Sequence, residues 1–298
     1  MDNGGSGLMR MLIFGAGYSG QAIGAAALAQ GKSVAGTTRA TDKMTELGSR
    51  GLIPYIYSGG EISPELARSM RTVTHLVQSI PPGAEGDPLL RLVQDDIKRW
   101  LPSLEWASYL STVGVYGNHD GAWVDEDTPC EPSSARGRER VAAERRWMQV
   151  GESAGIAVSV LRLSGIYGPS RNAFVNLSRG TAHRIIKKDQ VFNRIRVEDI
   201  GSVALFLAMR GTAGIFNITD DEPAPPQDIV VEAARLMGVE PPPEQAFETA
   251  EMRPMARSFY GDNKRVSNAR IRNLGFPFAY PNYRVSLADL WGRQKQSV

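Results

Sequence analysis

The stretch Met11-Leu12-Ile13-Phe14-Gly15-Ala16-Gly17-Tyr18-Ser19-Gly20-Gln21 decides the fold. A short apolar run ends in the pattern G-x-G-x-x-G. An alanine-rich segment follows from Gln21 to Gln30 and stops at Gly31. Ser33 to Thr38 then reads as a second strand. Strand, glycine turn, helix and strand within about 30 residues make one βαβ unit. Each glycine has a distinct use in such a unit. Gly15 permits a tight turn, Gly17 lets the backbone approach a pyrophosphate, and Gly20 lets the helix pack close to the strand. Tyr18 and Ser19 fall in the first helical turn, where free N–H groups and the helix dipole favour an anion.

The end of the second strand chooses the dinucleotide. An NAD site usually places Asp or Glu about 20 residues after the glycines, on the ribose 2′-hydroxyl. Here the sequence reads Gly36-Thr37-Thr38-Arg39, with no acid before Asp42. Arg39 can pair with a 2′-phosphate and the Thr38 hydroxyl can donate to it. NADP(H) is therefore expected over NAD(H). Ser79, after the apolar run Val73 to Val77, is expected at the sheet's carboxyl edge, with backbone contact to the ribose or nicotinamide half.

The alternation continues outward. Ser63-Pro64-Glu65 and Asp87-Pro88 read as helix starts, with a cap residue followed by proline. In the second helix Leu89, Leu90, Val93, Ile97 and Leu101 fall on one face. Trp106 to Leu110, Ala157 to Leu161 and Gly214 to Thr219 read as strands. Gly137 to Val150 and Val197 to Met209 read as helices. The expected fold is α/β, a Rossmann-type doubly wound parallel sheet with a smaller C-terminal substrate lobe. Residues 1–10 are expected as a flexible N-terminus, 11–220 as the dinucleotide-binding domain and 221–298 as the lobe. Part of 168–195 is expected to contribute to the lobe.

Composition bounds the function. The chain has 298 residues, 42% hydrophobic and 22% charged, with a net charge of +2. That is a globular composition, and the charge balance gives no support for nucleic-acid binding. No apolar run approaches the ~20 residues of a membrane span. Met1 to Gly7 does not read as a secretory signal, so a cytoplasmic protein, monomeric or homodimeric, is expected. Cys130 is the single cysteine, which leaves no cysteine-based metal site, and the three histidines show no ligand spacing. No metal is expected. His75, in a strand pattern, is expected to be structural. The 34 basic residues are 27 Arg and 7 Lys, and no lysine lies between Lys98 and Lys187.

Four segments carry a family resemblance. The glycine motif, Leu110-Ser111-Thr112-Val113-Gly114-Val115-Tyr116-Gly117, Arg162-Leu163-Ser164-Gly165-Ile166-Tyr167-Gly168-Pro169 and Arg196-Val197-Glu198-Asp199-Ile200 resemble the extended short-chain dehydrogenases/reductases. The likeness is greatest to the NAD(P)-dependent epimerase/dehydratase branch. Asn217 to Asp221 and Lys264 to Asn268 resemble the C-terminal lobe of an atypical subgroup. The resemblance implies a Ser or Thr on the substrate oxygen, and a Tyr-x-x-x-Lys pair that moves a proton and holds the ribose.

Thr112 matches the Ser/Thr position. The Tyr-x-x-x-Lys segment falls in Pro132 to Glu144, where Arg136 occupies the Tyr place and Arg140 the Lys place. The tyrosines nearby, 109, 116 and 167, have no lysine four residues on. A guanidinium keeps its proton near neutral pH, so the family's acid–base step is not open to either arginine.

Three readings follow. Arg136 and Arg140, one turn apart, recognise a carboxylate or phosphate on a small substrate. Alternatively, catalysis has moved to Tyr116, His119, the acidic run Asp125-Glu126-Asp127, or Tyr167. In the third reading the arginines form a solvated or salt-bridged face and nothing is turned over. The leading expectation is an oxidoreductase or epimerase with a non-standard site made by Thr112, Arg136, Arg140 and Tyr116. The other is a catalytically silent NADP(H)-binding sensor or scaffold. A cationic site also favours the neutral reduced nicotinamide, so NADPH is expected to bind more tightly than NADP⁺. Lys264 and Arg265 are candidate anion contacts in the lobe.

Overall fold

The computed structural model describes residues 8–94 and 96–296. Residues 1–7 of the expected flexible N-terminus lie outside the described residues, and Arg10 already opens the first strand. In chain order the first elements are β1 (Arg10–Phe14), α1 (Tyr18–Ala29), β2 (Ser33–Thr38), α2 (Asp42–Ser49), β3 (Ile53–Ile56), α3 (Pro64–Met70), β4 (His75–Gln78), α4 (Pro88–Val93), α5 (Ile97–Trp100) and β5 (Trp106–Thr112). Next come β6 (Trp123–Val124), α6 (Ala135–Ala154), β7 (Ala157–Leu163), β8 (Gly165–Tyr167), α7 (Ala173–Ser178), β9 (Arg184–Ile186), β10 (Arg194–Arg196), α8 (Val197–Met209) and β11 (Gly214–Ile218). The chain closes with α9 (Pro226–Met237), β12 (Glu244–Ala246), α10 (Pro254–Ser258), β13 (Arg265–Val266), α11 (Ala269–Asn273) and α12 (Tyr283–Gln296).

Seven strands form one sheet in the order β11-β7-β5-β4-β1-β2-β3. The pairs β3–β2, β2–β1, β1–β4 and β4–β5 run parallel. This is the doubly wound architecture expected from the alternation. The chain runs outward from β1 to β3, then returns to β4 on the other side of β1. The carboxyl ends of β1 and β4 therefore flank the point where strand order reverses, which is where such sheets bind ligands. Met11 to Phe14 are essentially inaccessible to solvent, as a strand covered on both faces requires. His75 is structural as expected. Its ring meets Thr74 Oγ1 at 2.8 Å and the Ala208 carbonyl at 3.3 Å, and burial pushes its pKa down.

Both predicted caps are in place. Ser63 Oγ accepts from Leu66 N at 3.2 Å, and Asp87 accepts from Leu89 N and Leu90 N at 2.9 and 3.0 Å. The single helix expected from Asp87 to Leu101 is two helices. Gln94 takes a left-handed conformation, φ 48°, and ends α4. Asp96 then caps α5 by accepting from Arg99 N at 3.2 Å. All five apolar positions are still buried, because two short helices meet the same core that one would.

The chain divides into two compact units that interleave in sequence. The first takes residues up to Thr112, then Ala135–Arg162 and Ile200–Phe216. The second takes Val113–Ser134, Leu163–Asp199 and the chain from Asn217 onward. Within the first unit α8 lies against α1. A methyl group on Gly201 would stand 2.5 Å from the Ala22 carbonyl oxygen, so only glycine fits there. The second unit holds three short parallel pairs, β8 with β10, β9 with β12 and β6 with β13. A core of Phe174, Ala224, Ala233, Tyr283, Leu287 and Leu290 lies beside them.

Candidate functional site

The glycine loop after β1 is built as its spacing predicts. Gly15 has φ +84°, and a Cβ there would stand 2.8 Å from Ile80 Cγ1. A Cβ on Gly20 would meet the Gly15 carbonyl oxygen and Ile13 Cγ2, each at 3.0 Å. Gly17 differs from both. Its φ is −81°, which any residue adopts, and among the described residues a Cβ there meets nothing within 4 Å. The fold alone places no demand for glycine at this position. Gly17 is the N-cap of α1, no side chain caps the helix, and its first turn holds no acid. Tyr18 and Ser19, both half-buried, open that turn.

The end of β2 fixes the loop. Ala16 N donates to the Thr37 carbonyl at 2.8 Å, and Gly15 N donates to Thr37 Oγ1 at 2.9 Å. A Cβ on Gly36 would stand 2.8 Å from Ala16 Cβ, so that glycine lets loop and strand touch. Thr38, next along, is half-buried and its hydroxyl accepts from Ala40 N at 3.3 Å. Arg39 is exposed, and among the described residues no carboxylate pairs with it.

Ser79 follows β4 and its N–H donates to the Phe14 carbonyl at 2.9 Å. This bond sets Ser79 and Ile80 beside the glycine loop. Beneath them Gln78 Nε2 donates to both oxygens of Asp87 at 2.9 Å, and Trp147 Nε1 donates to Asp87 at 3.2 Å. Burial pushes the Asp87 carboxyl above its usual range.

The residues that the resemblance matches to the family's catalytic segment lie at the end of β5 and on α6, both in the first unit. Thr112 is the last, half-buried residue of β5. Arg140 donates from Nη1 to the Leu110 carbonyl, so it ties α6 to the strand two residues before Thr112. Arg136, one turn earlier, is exposed. Below them lies a buried network that the sequence reading missed. Arg162 Nη2 meets Glu144 Oε2 at 2.8 Å, both side chains being inaccessible, and Ser111 Oγ donates to Glu144 Oε1. A buried ion pair adds little net stability. What this one does is fix the strand end that carries Thr112.

The groups proposed for displaced catalysis lie in the second unit. Tyr116 is fully buried and its hydroxyl donates to Asn217 Oδ1 at 2.7 Å. That bond ties it to Asn217 in the core of the second unit. Glu126 is also buried and accepts from Asn217 N at 2.8 Å, and burial raises its pKa. Asp127 pairs with Arg270 at 2.7 Å, and Asp125 accepts from Thr128 Oγ1 at 2.9 Å, closing its own turn. His119 meets the Tyr116 carbonyl at 3.1 Å. Tyr167 has a buried hydroxyl whose pKa burial raises. The candidate anion contacts are committed as well. Lys264 Nζ donates to the Gly117 carbonyl at 2.6 Å and Arg265 to the Gly121 carbonyl. Asp220, inaccessible and with Oδ2 unpartnered, has its pKa pushed up to about 8, chiefly by burial.

The family model for the NAD-dependent epimerases/dehydratases matches residues 102–199, which include Thr112, both arginines and Glu144. A conserved protein of unknown function from Silicibacter pomeroyi is 44% identical. That likeness covers 96% of this chain and 99% of the other, with a TM-score of 0.86. Residues 102–199 of this chain thus resemble the NAD-dependent epimerase/dehydratase family. Protein YeeZ of Escherichia coli K12 is 28% identical over 92% of this chain and 97% of its own. Human epimerase family protein SDR39U1, solved with NADPH, shares the fold at 15% identity and a TM-score of 0.71, over 95% of this chain and 99% of that one.

Two predictions follow from this geometry. Gly17→Ala should leave the denaturation midpoint unchanged or slightly raised, because φ is permissive and the space is open. It should still weaken NADPH binding, read by calorimetry. Gly20→Ala should instead lower stability by about 1–3 kcal/mol. A Gly17→Ala protein that binds NADPH like the parent would contradict the reading.

The second concerns Asp220. Folded, it keeps its proton to about pH 8. Unfolded, it loses that proton near pH 4. Between those values the folded state binds more protons, so its stability falls as pH rises. Denaturant melts from pH 5 to 9 should show parent stability declining relative to Asp220→Asn. A difference that stays constant with pH would exclude a neutral Asp220.

Proposed function

We propose that this protein binds NADP(H) in its first unit, with the diphosphate at the Gly15–Gly20 loop. Gly17 carries the proposal. Its glycine identity answers to no backbone strain and no protein neighbour, and close passage of a diphosphate supplies the missing reason. The uncapped start of α1 supplies N–H groups and dipole for the same anion. Arg39, exposed and without a carboxylate partner, suits the 2′-phosphate, with Thr38 beside it. An acid on the ribose 2′-hydroxyl is missing from the end of β2, and NADP(H) is the preferred form. Ser79 serves the ribose or nicotinamide half.

The chemistry we propose is that of an oxidoreductase or epimerase with a non-standard site. Arg136 receives a carboxylate or phosphate of a small substrate, and Thr112 hydrogen-bonds the reacting oxygen. Arg140 acts on the scaffold, through the Leu110 carbonyl. Neither arginine moves a proton, so any proton the reaction needs comes from outside this pair. A second reading is favoured by the Arg140–Leu110 bond and the burial of Tyr116. In it the protein binds NADP(H) and turns nothing over.

Arg39→Asp should weaken NADPH binding roughly 10- to 100-fold, the size of a lost charge-assisted hydrogen bond. NADH binding should change far less. Calorimetric titration of both proteins with both nucleotides reads this, and equal losses would rule out the 2′-phosphate role. The enzyme reading is decided by absorbance of the reduced nicotinamide, with NADPH and a panel of small anionic carbonyl compounds. Oxidation that disappears in Arg136→Gln supports turnover. A flat trace across the panel, in a protein that binds NADPH, supports the silent reading.

A further inference from the structure

Thr37 stands where the loop after β1 meets the end of β2, and neither the family motif nor the G-x-G-x-x-G pattern includes it. It is almost inaccessible to solvent. Two consecutive loop amides end on this one residue. Gly15 N reaches its Oγ1 at 2.9 Å and Ala16 N reaches its carbonyl at 2.8 Å. The second bond requires only backbone in strand register. The first requires a hydroxyl. Gly15 N lies at the base of the half-buried turn, and an N–H shielded from water and left without an acceptor costs free energy. Valine matches threonine in shape but offers no acceptor.

The neighbours show why the tie matters for the site. Gly15 sits at φ +84° with Ile80 pressed against it, and Gly17 N turns back to the Gly15 carbonyl at 2.7 Å. Any shift of the Gly15 amide is therefore passed to Gly17 and to the start of α1. On the other side, Thr38 and Arg39 follow Thr37 directly.

We infer that Thr37 is a positioning residue for the dinucleotide. Its hydroxyl holds the Gly15 amide so that the diphosphate loop keeps a fixed place beside the strand end that reads the 2′-phosphate. The inference rests on the cofactor reading above and adds a residue to it. Thr37 does not touch the cofactor. It acts through the loop, so its loss affects binding through the diphosphate and leaves recognition of the 2′-phosphoadenosine end intact.

The test uses the full-length protein, calorimetry and two probes, NADPH and adenosine 2′-monophosphate, which lacks the diphosphate. Thr37→Val should weaken NADPH binding about tenfold and leave adenosine 2′-monophosphate binding unchanged. Thr37→Ser, which restores the acceptor, should recover most of the NADPH affinity. A Thr37→Val protein that binds NADPH like the parent would overturn the inference. So would a parallel loss of both probes, which indicates general damage to the unit, or a serine variant as weak as the valine one. If the parent protein itself binds no NADPH, it is the cofactor reading that fails, and the two failures are told apart by that control.

Discussion

The turn at Gly15 is the constraint on which the rest of the first unit depends. The chain must leave β1, reverse, and begin α1 within a few residues. It does so at a positive φ, against Ile80, with its amide held by Thr37. Each requirement reaches a different strand. Ile80 belongs to the segment after β4 and Thr37 to the end of β2, so one turn fixes the meeting of three strand ends. The ends of β1 and β4 flank the reversal of strand order, and the open position at Gly17 follows β1. In doubly wound sheets ligands bind at that reversal, and the turn sets where the loop amides stand beside it.

Arg136 and Arg140 of α6 differ in what they reach. A lysine or tyrosine on α6 would bring a titratable group to the end of β5. Arg140 brings a fixed charge, and its guanidinium holds the Leu110 carbonyl. One turn further along, Glu144 takes Ser111 and Arg162 into the same wall. The strand end is thus held from α6 by two residues, Arg140 and Glu144. Neither Arg136 nor Arg140 can move a proton near neutral pH. A substrate anion at Arg136 and a cofactor-binding protein without turnover both fit that state, and they differ in what the nicotinamide does.

What was legible in the sequence was local. The run Met11 to Gln30 shows strand, turn and helix through hydrophobicity and glycine spacing alone, and Ser63 and Asp87 show their helix starts. Other features depend on contacts between distant residues. Thr37 acquires its role from parallel register, with Ile13 opposite Gly36, and no spacing rule carries register. Tyr116 looked available because its partner, Asn217, lies 101 residues further on. Gln94 interrupts a helix whose apolar pattern continues unbroken, since the pattern reports burial and not backbone conformation. The strands of the second unit have two or three residues each, too few for a period of two to show. Its three separate segments meet only in space.

The most direct measurement is a crystal structure of the protein with NADPH. The diphosphate should lie against Gly17 at the start of α1, and the 2′-phosphate should be within hydrogen-bond distance of the Arg39 guanidinium and the Thr38 hydroxyl. NADPH seated elsewhere, or a 2′-phosphate turned away from Arg39 into solvent, would contradict the account.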